Sequence, residues 1–159
     1  MAELTAYHEA GHAFMAVCLG AQVRSVTIDP DDDDGPDRFG DTQIEWDRGR
    51  LTQRELHESL VIVALAGPVA EAIYRGEPLH PGYVAEWVDD WQQAWEAATP
   101  LFPDERKRLR YLEQTTAELH RELNHDGNWA ALAAIVDSLL AHERLEGEEI
   151  SEIVAMWLA

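Results

Sequence analysis

The chain has 159 residues, 46% hydrophobic and 27% charged, which suits one folded domain and is too apolar for a disordered tail. Asp and Glu number 31 against 12 Lys and Arg, a formal charge of -19. That excess works against binding nucleic acid or an anionic membrane surface, because neutralising phosphates takes a basic patch. Lys107 is the only lysine and follows Arg106, so no G-x-x-x-x-G-K-[ST] phosphate loop exists in the chain.

The first residues, Met1-Ala2-Glu3-Leu4, have neither the basic nor the apolar character of a signal peptide. Leu4 to Leu19 reads as a helix that Gly20 terminates. Within it Cys18, the only cysteine, excludes an internal disulfide and a multi-cysteine zinc site. Gln22 to Asp29 reads as a strand with Val26 and Ile28 on one face. Asp29-Pro30 through Gly35-Pro36-Asp37 is an acidic turn containing the run Asp31 to Asp34. That run is not an EF-hand loop, since placing Gly35 sixth would put Pro30 at the first ligand position. Phe39 to Trp46 then reads as the returning strand of an antiparallel pair.

Thr52 and Glu55 form a capping box for a helix that runs to Arg75, contains Pro68 and stops at Gly76. Its apolar stretch, Leu60 to Ala70, is shorter than the roughly 20 residues of a membrane span. Val84 to Ala98 reads as a third helix, in which Trp87, Trp91 and Trp95 recur at the spacing of a core-facing stripe. A fourth opens at Pro103-Asp104-Glu105 and runs to about His125, where Asp126-Gly127 breaks it. Asn128 caps a further helix to Arg144, and a short one ends the sequence. The expectation is a mostly α (α+β) fold over residues 1–159, with a small antiparallel β element near the N-terminus and a cytoplasmic setting.

The chemistry concentrates in the first helix. His8-Glu9-Ala10-Gly11-His12 is an H-E-x-x-H sequence, and residues four apart share a helix face. His8 and His12 can therefore hold one ion through their imidazoles, and zinc suits such ligands. Glu9 lies one step round the helix, where it can take a proton from the water that attacks a carbonyl. A third ligand remains to be supplied by an acid elsewhere. Asp90, Glu86, Asp89 and Glu71 are the candidates.

Thr5-Ala6-Tyr7-His8-Glu9-Ala10-Gly11-His12-Ala13 resembles the zinc helix of the FtsH-type ATP-dependent metalloproteases. Val26-Thr27-Ile28-Asp29-Pro30 with Gly40-Asp41-Thr42 resembles that family's strand pair. Leu65-Ala66-Gly67-Pro68-Val69-Ala70-Glu71 is similar to its Leu-Gly-Gly-Arg-x-Ala-Glu helix, and Leu139 to Gly147 to its C-terminal helices. The resemblance implies a helical zincin-like peptidase domain with Zn2+ held by His8, His12 and Asp90, and Glu9 as catalytic base. It implies an unfolded protein or peptide as substrate. The strand around Gly40 to Ile44 is in addition expected to hold an extended peptide by edge pairing. The family works as hexameric rings driven by an ATPase. A homo-oligomer and a separate ATPase acting in trans are thus further expectations, though a charge of -19 per chain opposes close packing. The family's Thr-Thr-Gly lead-in to the third ligand is replaced here by Gly82 to Trp87, and the ATPase module and membrane anchor are not in this sequence. Those departures favour the alternative, a zinc-stabilised regulatory or binding module that has lost turnover.

Overall fold

The computed structural model describes residues 2–29, 40–78 and 80–158. Helix α1 (Ala2–Cys18) leads into strand β1 (Gln22–Thr27), β2 (Asp41–Glu45) and helix α2 (Gln53–Arg75). Helices α3 (Val88–Ala98), α4 (Glu105–Leu123) and α5 (Asp126–His142) follow, then a short strand β3 (Arg144–Glu146) and α6 (Gly147–Leu158). The protein is mostly helical, with a small antiparallel sheet. The acidic run Asp31 to Asp34 lies outside the described residues.

Local chemistry accounts for most boundaries. Gly20 takes φ +84 at the end of α1, and Gly76 takes φ +73 after α2, a left-handed conformation that costs glycine least. The capping box forms as the sequence requires: Glu55 N–H donates to Thr52 Oγ1 at 3.1 Å, and Thr52 N–H to Glu55 Oε1 at 3.0 Å. Asp104 caps α4 by accepting from Lys107 N–H at 3.0 Å.

Three boundaries differ from the sequence reading. The expected helix from Val84 begins instead at Val88, after two 3-10 turns at Pro81–Tyr83 and Ala85–Trp87. Val84 between them is extended, at φ -102 and ψ 118, which interrupts the helix. The break at Asp126-Gly127 lies earlier: α4 ends at Leu123, and both residues open α5, where Asp126 puts a negative charge in the first turn. Asn128 is not a cap; its side-chain amide donates to the Glu122 carbonyl at 2.8 Å, tying the first turn of α5 to the end of α4. Residues 144–146, expected at a helix end, form β3.

Strand β1 is the centre of the sheet, whose order is β2-β1-β3 with both pairings antiparallel. Its inward residues Val23 and Val26 join a core of Ala6, Ala10, Phe14, Leu65, Val69, Leu132, Ile135, Leu139 and Leu145. The apolar helix α2 runs through this core. By length and composition it could cross a membrane, at mean hydropathy 1.5, yet 72% of that window is buried inside the protein. It is the core helix.

The tryptophan stripe divides. Trp87 is buried, while Trp91 and Trp95 are half-buried against the edge of the core. Trp95 stacks under the Arg108 guanidinium, 4.6 Å from the ring centre, and Arg108 also donates to the Phe102 and Pro103 carbonyls. This fixes the turn between α3 and α4.

Candidate metal centre

Small residues let α1 and α2 approach closely. A Cβ at Gly11 would lie 2.5 Å from the Ala66 carbonyl oxygen and 2.8 Å from Ala70 Cβ, so the two backbones nearly touch there. At the next residue of α1, the His12 ring lies against Gly67, where a Cβ would fall 2.3 Å from Nε2. Helix α3 packs on α2 and buries Ala94, Ala97 and Ala98. Asp90 is on that same face of α3, at the i, i+4, i+7 spacing with Ala94 and Ala97.

These three elements bring His8, His12 and Asp90 together, with one ligand atom from each lying within 4.8 Å of the others. Among the described residues this is the one such group of three or more. His8 Nε2 donates to Asp90 Oδ2 at 2.8 Å, and His12 Nε2 is 3.2 Å from Asp90 Oδ1. The side chains are 13%, 12% and 17% exposed, so the cluster is sheltered and still reachable from solvent. Donor atoms of a tetrahedral zinc site lie about 3.3 Å apart, given bonds near 2 Å. The three donors here lie within 4.8 Å of one another, so small side-chain shifts would bring them onto one ion.

What stands behind each imidazole matters as much. His12 Nδ1 donates to the Val63 carbonyl at 2.7 Å, which aims Nε2 at Asp90. That turn of α2 is interrupted by Pro68, whose missing N–H leaves the Ala64 carbonyl without its helical donor. His8 Nδ1 faces Glu71 Oε1 at 3.7 Å. Glu71 is itself fixed, accepting from Trp87 Nε1 at 2.9 Å and pairing with Arg75 at 3.1 Å. The sequence left Glu71 open as a ligand. It is buried on the far side of the His8 ring instead, and Trp87 reaches the cluster only through it. Glu86 and Asp89 are exposed and belong to no such group.

The electrostatics follow from this crowding. Burial alone would lower the His8 imidazole, but hydrogen bonding to Asp90 and Glu71 outweighs it and holds the ring up to about 10. His12 is likewise raised, burial being outweighed by the Asp90 charge. For Asp90 burial pushes upward, yet the His12 and His8 charges win and hold the carboxyl well below its ordinary range. Protons on the two Nε2 atoms thus take the lone pairs that a cation would use, and a divalent ion would displace them.

Glu9 is buried at 8% exposure, and its carboxylate Oε1 accepts from the Thr42 hydroxyl at 2.7 Å. Sequence reasoning missed this contact, along with the fit of His12 on Gly67. The Gly-x-Thr and Leu-Ala-Gly sequences were the available signals, but neither names its tertiary partner. Cys18 is exposed, and partial burial of its thiol with Glu122 nearby pushes it up to about 11, so nothing activates it. No family model matches the chain, and no curated protein does either.

Proposed function

We propose that the protein is a zinc-dependent metallopeptidase, a hydrolase that cuts peptide bonds of peptides or unfolded proteins with Glu9 as general base. The observation that carries this reading is the convergence of His8, His12 and Asp90, each imidazole backed by an oxygen, next to a buried Glu9. Two imidazoles and a carboxylate are a donor set that zinc accepts. Zinc bound there would act as a Lewis acid on the scissile carbonyl and lower the pKa of a water.

The rest belongs to the chain. His8, His12 and Asp90 hold the ion, while Val63 and Glu71 keep the rings aimed. Glu9 takes a proton from the attacking water and passes it to the amine as the C–N bond breaks. Strand β2 lies at the sheet edge, with no partner strand beyond it among the described residues, and offers an extended peptide a line of backbone pairing. Hydrolysis of a flexible chain needs no unfolding, so no ATP is required.

The purified protein is expected to carry one zinc, lost in His8→Ala, His12→Ala and Asp90→Ala but retained in Glu86→Ala and Asp89→Ala. Elemental analysis decides the ligands. Full affinity in Asp90→Ala together with loss in Glu86→Ala or Glu71→Ala would reassign the third one. The zinc form is expected to cleave an unfolded protein without ATP, to stop on chelation, and to spare a compact folded substrate. Bound zinc with no turnover across a broad peptide library would leave the binding-module alternative standing.

A further inference from the structure

We propose that Thr42 is the positioning residue for Glu9, and that the start of β2 forms a socket for the base; the inference rests on the peptidase reading above. Residues two apart on a strand share a face, so Gly40 and Thr42 point the same way. Thr42 pairs in register with the fully buried Val26, which makes that face the inward one, toward α1. Gly40 supplies the room. A Cβ there would fall 2.7 Å from Glu9 Cγ and 2.8 Å from Thr5 Cγ2, so the Glu9 methylenes lie directly against its backbone. Thr42 supplies the hold. Its hydroxyl is 2.7 Å from Glu9 Oε1 and 3.3 Å from the Glu9 carbonyl, and with one proton to donate it favours the shorter, charge-assisted bond.

The consequence is directional. A glutamate side chain has three rotatable bonds, and a general base must be held within a fraction of an ångström of the proton it takes. With Oε1 on Thr42, Oε2 is assigned the water's proton. Strand β2 is also the sheet edge on which an extended substrate would pair. The base and the peptide are thus set by one strand, and their register does not depend on the packing of α1 alone.

Thr42→Val keeps the side-chain shape and removes the hydroxyl. It is expected to lower kcat by about 10- to 100-fold and leave KM within about twofold, with zinc content unchanged. Thr42→Ser, which keeps the hydroxyl, is expected to restore most of kcat. A second readout needs no turnover. The two Hγ protons of Glu9 should give separate NMR signals in the native protein and in Thr42→Ser, and a merged one in Thr42→Val. A native kcat in Thr42→Val, a change confined to KM, or Hγ signals that stay separate in it would overturn the proposal. If the native zinc protein shows no turnover the peptidase reading fails, and the Hγ signals still decide whether Thr42 holds Glu9.

Discussion

Glu9→Gln is expected to keep a full complement of zinc and to lose hydrolysis by a factor of about 10² to 10⁴. The substitution is selective because of where Glu9 lies. It is not among the three residues that converge, so removing its charge takes no ligand away. The amide oxygen can still accept the Thr42 hydroxyl bond, so the side chain stays in its socket. What disappears is a group able to take a proton. Stability should not fall, since a buried neutral amide is less costly to desolvate than a buried carboxylate. Cleavage of an unfolded protein by matched zinc-loaded samples measures the ratio, with the variant as control for contaminating protease. Equal rates in the two, or stoichiometric zinc loss in Glu9→Gln, would end the assignment of Glu9 as base.

Gly67→Ala is the second large effect. Its Cβ would lie 2.3 Å from His12 Nε2, 2.6 Å from Cε1 and 2.8 Å from Cδ2, distances that side-chain atoms do not sustain. The ring has little freedom to withdraw, because Nδ1 is tied to the Val63 carbonyl on the same helix. Either that bond breaks and the ring swings away, or α1 and α2 separate at their tight contact beside Gly11. Overpacking of this kind costs about 1–3 kcal/mol, which exceeds the roughly 1 kcal/mol that alanine gains over glycine within a helix. Zinc affinity is expected to fall by about 100-fold or more, since one of the three proposed ligands is displaced. Gly127→Ala is the control. It lies in the first turn of α5, where the new Cβ would meet nothing within 4 Å beyond its own helix and chain neighbours, and should be neutral or slightly stabilising. Competition with a chromophoric chelator reads the affinity, and thermal melting the stability. Native affinity in Gly67→Ala would mean that His12 does not depend on this contact.

What could be read from the sequence was local. The two histidines four apart on a helix, the capping box at Thr52 and Glu55, and the glycine stops at Gly20 and Gly76 are each set by a few neighbouring residues. The antiparallel pairing of β1 and β2 follows from their closeness in the sequence. What could not be read was contact across distance. Glu71 and Asp90 are both acids downstream of His12, and no spacing rule says which one faces Nε2 and which lies behind Nδ1 of His8. That depends on Trp87 and Arg75 holding Glu71 back. The Thr42 bond to Glu9 spans 33 residues and exists only once β2 lies over α1. Strand β3 is three residues long, with Leu145 alone buried, too short to show an alternating pattern.

The central place of β1 has a consequence for the order in which the chain is assembled. Its two neighbours come from opposite parts of the sequence, β2 shortly after it and β3 from residues 144–146. A chain emerging from the ribosome can pair β1 with β2 and dock α2 on both α1 and α3 while α5 and β3 have still to emerge. All of His8, Glu9, Thr42 and Asp90 are out by then. The other edge of β1 must wait until Arg144 to Glu146 arrive, and closing so long a loop is the slow kind of contact. Pulse-labelled amide exchange during refolding should therefore protect α1 and α2 before the β1–β3 pairing; the reverse order would disprove this sequence of events. Until then a nascent chain carries one open strand edge beside the grouped His8, His12 and Asp90, a state in which β1 is exposed to pairing with other chains.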